Sequence, residues 1–178
     1  MRTACLWLAV LAGCTTFPVD PVRDETMAAL GPEQEGVPPG PLHRPGQPCV
    51  LCHSPAGGAT ALSLGGTVYR RNDAADGFGG AEVLLVDGAG AKFRTRTNCV
   101  GNFFVTPEQY TPTYPVWVTI RYGDTVTDMK SMIHRDGSCA SCHSDPASPT
   151  SAGHVFVTSD PIVVLAPTPC GPNGGGQR

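Results

Sequence analysis

Two short runs constrain this chain more than any other feature: Cys49-Val50-Leu51-Cys52-His53 and Cys139-Ala140-Ser141-Cys142-His143. In each, two thiols flank two residues and an imidazole follows at once. The spacing suits covalent attachment of a porphyrin. Two thiols reach the two vinyl groups on one haem edge and form thioethers, and the next histidine sits beneath the iron. Four cysteines in two such pairs are also a zinc pattern, and a Cys-x-x-Cys pair can be a redox dithiol. With 5 histidines in 178 residues, chance places one directly after both pairs only about once in a thousand cases. The runs therefore predict two haem c groups. Cys49, Cys52, Cys139 and Cys142 are the expected attachment residues, and His53 and His143 the expected proximal iron ligands.

Such attachment happens only after export, and the N-terminus predicts export. Arg2 precedes an apolar stretch from Ala4 to Leu11 that is too short to span a bilayer. Leu11-Ala12-Gly13-Cys14 then resembles the lipobox of bacterial lipoproteins. The resemblance implies removal of residues 1–13, acylation of Cys14 and a place in the bacterial cell envelope. Thr15 follows the cysteine where an aspartate is absent, which favours the outer membrane, facing the periplasm or the surface. The alternative is an ordinary secretory signal with a chance cysteine, and either takes the chain out of the cytoplasm. Exported proteins seldom keep zinc thiolates reduced, which weighs against the zinc pattern.

Of 8 cysteines, Cys5 leaves with the signal, Cys14 takes the lipid and four belong to the paired runs. Cys99 and Cys170 remain, and outside the cytoplasm two such thiols are expected to form a disulfide. The formal charge is −3, or −4 once Arg2 is removed, so nothing points to nucleic acid.

Two irons need two distal ligands if both are six-coordinate. His43, His154 and His134 are the candidates, with Met129 and Met132 near the second run. Histidine on both faces gives a low potential and methionine raises it. His43 lies in a proline-rich stretch with no core to fill. His154 opens Gly153-His154-Val155-Phe156-Val157, which reads as the start of a strand and a firm mount for a ligand. His43-Arg44-Pro45-Gly46 before the first run echoes His134-Arg135-Asp136-Gly137 before the second. A weak internal repeat and a four-residue coincidence both account for that echo. Each spare histidine also has the plainer alternative of a solvated or capped side chain.

Between the runs the hydrophobic period is two. Residues 67–69, 81–86, 92–96, 102–105 and 116–120 read as strands, punctuated by Asp87-Gly88, Gly101 and Gly123-Asp124. Short, evenly spaced strands suggest a β-sandwich. Gly66, Val68, Ala81, Val83, Leu85, Gly90, Thr97 and the Gly101-Asn102-Phe103 turn are similar to the carboxypeptidase regulatory-like domain, over about residues 62–124. The resemblance implies a small, non-catalytic transthyretin-like sandwich, from which Cys99 departs. The expected fold is mainly β: a small transthyretin/Ig-like β-sandwich with two loop or short-helix haem c attachment segments. Its divisions are a signal at 1–13, a Pro-rich tether at 14–46 and a first haem segment at 47–61. The sandwich follows at 62–131, a second haem segment and closing strand at 132–165, and a tail at 166–178.

The chain is thus similar to exported multihaem cytochromes with a β-scaffold. That resemblance implies a membrane-anchored electron-transfer protein, not an enzyme, with redox proteins of the envelope as partners. Two other readings stand beside it. One is a haem enzyme such as a peroxidase, which needs an open iron with polar groups beside it; no matching run of catalytic residues is found. The other is a binding module in which the haems staple a small core.

Overall fold

The structure is a computed structural model describing residues 21–32, 35, 37, 39–55, 57 and 59–171. The lipobox-like segment with Cys14, and residues 172–178, lie outside the described residues. The fold is mainly β, a small sandwich of two sheets. The strands are β1 (Leu64–Tyr69), β2 (Glu82–Val86), β3 (Lys92–Arg96), β4 (Asn102–Val105), β5 (Trp117–Tyr122), β6 (Thr125–Asp128) and β7 (Val155–Phe156). One sheet has the order β4-β1-β7 and the other β3-β2-β5-β6.

Alternation in the sequence sets the four-stranded sheet. Val83 and Leu85 on β2 point inward and sit beside Ile120 and Val118 on β5, while Glu82, Leu84 and Val86 point outward. Phe78, Phe103, Val105, Val116 and Val157 complete the core. A fully buried side chain of this kind contributes about 1.5–3 kcal/mol by leaving water. Strand β6 went unread in the sequence because Thr125–Asp128 carries a single apolar residue; it forms by hairpin pairing with β5 across Gly123-Asp124.

Strand β1 differs from the others because all six of its residues are buried. Leu64 and Val68 face the core. The opposite face is covered by chain that the sequence reading placed at the end of the tether. Gly46 N–H donates to Thr67 Oγ1 at 2.7 Å. Asn98 Nδ2 donates to the Pro41 carbonyl at 2.6 Å, and Asn102 Nδ2 to the His43 carbonyl at 2.9 Å. The last residues before the first run are therefore held against the sheet. Upstream, helix α1 (Pro21–Ala29) meets the first run through Arg23 Nε, which donates to the Leu51 carbonyl at 3.1 Å.

Cys99 and Cys170 are disulfide-bonded, with Cα atoms 4.9 Å apart. The bond fixes a tail strap that also engages the sandwich through its backbone. Thr168 N–H donates to the Gly79 carbonyl, and the Tyr122 hydroxyl donates to the Ala166 carbonyl at 2.5 Å.

Candidate functional site

Each Cys-x-x-Cys-His run folds into a single tight turn. The first forms the short helix α2 (Cys49–Cys52), entered through Pro48, and the second a 3-10 turn at Cys139–Ser141. In both, the histidine N–H donates to the carbonyl of the first cysteine: His53 to Cys49 at 3.0 Å, and His143 to Cys139 at 2.9 Å. Residues three apart on such a turn share a side, so the two thiols of a pair face one direction.

The two histidines are also oriented alike. His53 Nδ1 meets the Thr60 carbonyl at 2.7 Å, and His143 Nδ1 meets the Gly153 carbonyl at 2.9 Å. A carbonyl only accepts, so Nδ1 carries the proton and Nε2 keeps its lone pair. That is the arrangement an imidazole needs to bind a metal through Nε2.

The first cysteines of the two runs share one mount, and sequence reasoning missed it. Gly65 and Gly66 lie on opposite faces of β1. A Cβ on Gly65 would stand 2.9 Å from Cys49 Cβ and 3.3 Å from its Sγ. A Cβ on Gly66 would stand 2.7 Å from Cys139 Cβ and 2.8 Å from its Sγ. The first cysteine of each run therefore lies against bare backbone, one on each side of a single strand. The sequence signal was present: adjacent glycines inside a strand mark close approach of other atoms.

The runs also meet beside β1. Val50 and Leu51 of the first, with Ala140 and Ser141 of the second, line one cavity of about 470 Å³. Ser138, on the same wall, has a buried hydroxyl without a hydrogen-bond partner among the described residues. Burial pushes the Cys49 thiol up to about 11, and burial with the nearby Cys49 pushes Cys139 up to about 12. Among the described residues no three Cys, His, Asp or Glu side chains converge as a metal cage.

The spare ligands have different fates. His43 and His53 line a second cavity, of about 640 Å³, together with Cys49, Cys52 and Phe103. Their ring centroids are 5.8 Å apart and their planes 21° from parallel. Two thiols and two imidazoles lining one cavity are a donor set that would suit a covalently attached haem. His43 Nδ1 accepts from the Gly40 N–H at 3.1 Å; ligation through Nε2 requires that contact to open.

His154 is buried, stacks on Tyr69 at 3.6 Å, and its Nδ1 donates to the Ala74 carbonyl at 3.1 Å. His154 immediately follows Gly153, whose carbonyl orients His143. His134 is exposed. Met129 packs against the core, and Met132 is exposed.

No family description, curated protein or solved structure matches this chain.

Proposed function

We propose that this chain is a dihaem c-type cytochrome, an electron-transfer protein lipid-anchored to the bacterial cell envelope. The observation that carries the reading is the first site. Cys49, Cys52 and His53 share a cavity with His43, so two thiols and two imidazoles line one space. The second run repeats the turn and the histidine orientation of the first.

In this reading Cys49 and Cys52 hold one haem and Cys139 and Cys142 the other, through thioether bonds. Bound haem supplies an iron that cycles between ferric and ferrous states. Thr60 and Gly153 keep His53 and His143 in the ligating tautomer. His43 would be the second histidine ligand at the first site, and His154 and His134 the candidates for that role at the second. The β-sandwich, after its carboxypeptidase regulatory-like resemblance, serves as a non-catalytic frame. Redox proteins of the envelope are the proposed partners.

Purified protein should exceed its polypeptide mass by two haems after denaturation, and its reduced spectrum should be low-spin. A haem-free protein carrying zinc would sink the reading. The enzyme reading draws on the second site, where His134 is exposed and His154 is engaged by Tyr69. Carbon monoxide separates the two: strong binding and peroxide turnover by the wild type would raise the enzyme above the carrier.

A further inference from the structure

The outer face of the four-stranded sheet has a pattern that haem chemistry leaves unused. Outward side chains fall in three cross-strand rows, as the register dictates. Lys92, Val86 and Trp117 form one row; Arg94, Leu84, Thr119 and Asp128 form the next; Arg96, Glu82, Arg121 and Val126 form the third. The face is about 15 Å across. It carries four cations against two carboxylates, a net +2, in a chain whose net charge is −3. All other residues together therefore carry −5.

Arg94 and Arg96 both reach Glu82, at 3.6 and 3.7 Å, while Arg121 makes no ion pair among the described residues. Trp117 is 44% exposed and Val126 49% exposed, beside half-buried Leu84 and Val86. The face thus combines apolar side chains and an exposed indole with cations along the β3 edge and Arg121 on β5.

We infer that this face docks on an anionic phospholipid surface, with Arg94, Arg96, Arg121 and Lys92 over the headgroups and Trp117 at the interface. Three observations favour lipid over an acidic protein. Both attachment runs are mounted on β1, in the other sheet, so a redox partner must approach the far side. Cations around an exposed tryptophan suit a membrane–water boundary. The inference also rests on the proposed acyl anchor at Cys14, because a tethered domain needs only weak added affinity to lie down. Docking then turns the haem-bearing sheet away from the membrane.

The test uses the full-length Cys14→Ser protein with its haems, so that the acyl chain contributes nothing. Cosedimentation is measured with vesicles of phosphatidylglycerol and phosphatidylcholine, and with phosphatidylcholine alone. Binding is expected to the anionic vesicles only, and to be lost at about 1 M salt, where charges are screened beyond ~3 Å. Arg121→Gln should weaken it about fivefold, and the triple change of Arg94, Arg96 and Arg121 to Gln at least tenfold. Trp117 emission should shift to the blue on binding. Equal binding to neutral vesicles, no binding by the parent protein, or unchanged binding by the triple variant overturns the inference. So does capture of an acidic protein by this face while vesicles are ignored. Failure of the anchor reading appears separately, as a wild-type protein that lacks acylation at Cys14.

Discussion

Consider replacing Gly66 with alanine. Its φ is not in the left-handed region, so the backbone accepts a side chain and the cost is contact alone. The new methyl meets Cys139 Cβ at 2.7 Å, its Sγ at 2.8 Å and Phe103 Cε1 at 3.3 Å. Ordinary carbon contacts lie at about 3.5–4.0 Å, so Cys139 must retreat by close to an ångström. Overpacking of this kind costs about 1–3 kcal/mol, offset by ~0.5–1 kcal/mol because alanine suits a strand better than glycine. The net loss is at most about 2.5 kcal/mol, or a fall in Tm of no more than roughly 10 °C for a domain this size. The more telling effect is local. Gly66→Ala should lower haem occupancy on the peptide containing Cys139 and Cys142 and spare the one containing Cys49 and Cys52. Gly65→Ala, which crowds Cys49 instead, should do the reverse. Peptide mass mapping of both variants reads the pattern. Equal loss at both runs, or none at either, would refute the argument that β1 mounts the two cysteines separately.

Three further outcomes are expected. His43→Ala should convert one haem to high spin and open it to carbon monoxide while the other stays unchanged; an unaltered spectrum would remove His43 as a ligand. Cys170→Ser should destabilise the protein by ~2–4 kcal/mol in denaturant titration, because the bond closes a long loop; an unchanged midpoint would show that the strap contributes little. Asp87 accepts from the backbone N–H groups of Thr113, Ala91 and Ala89, and the Thr113 contact leads in holding its carboxyl below the usual 3.8. Its contribution is therefore present at neutral pH and lost as pH falls through that lowered value, so Asp87→Asn should flatten the acid limb of the stability curve; a parallel pH profile would contradict this.

Three strands of the four-stranded sheet were legible because their residues alternate cleanly and their turns carry glycine and aspartate, whereas β6, with one apolar residue, was not. The disulfide was legible because elimination left only two thiols. Strand β1 was half hidden: Thr67-Val68-Tyr69 has strand chemistry, whereas Leu64-Gly65-Gly66 has little propensity of its own and extends because both faces are packed. The docked segment before Cys49 was illegible for a different reason. Its contacts are one backbone N–H accepted by Thr67 and two carbonyls that receive hydrogen bonds from Asn98 and Asn102, far along the chain, and a proline-rich stretch does not announce such partners. The relation of the two runs was only half signalled: adjacent glycines in a strand mark a close approach, but which atoms approach appears only when cysteines from distant parts of the chain arrive.

The pairing of β7 with β1 is parallel, Val68 beside Val155 and Tyr69 beside Phe156. Almost the whole described sandwich lies between those partners in sequence, so this end of the β1 flank closes last as the chain is synthesised. Until then a strand with two bare glycines presents an unsatisfied edge, the kind of template on which chains stick together. Val155 and Phe156 finally cover one end of it, and a bridge from Ser138 to Gly65 covers the other. The hazard for this protein is thus one of timing: delayed release of its C-terminal third leaves the strand that mounts both cysteines open to its neighbours.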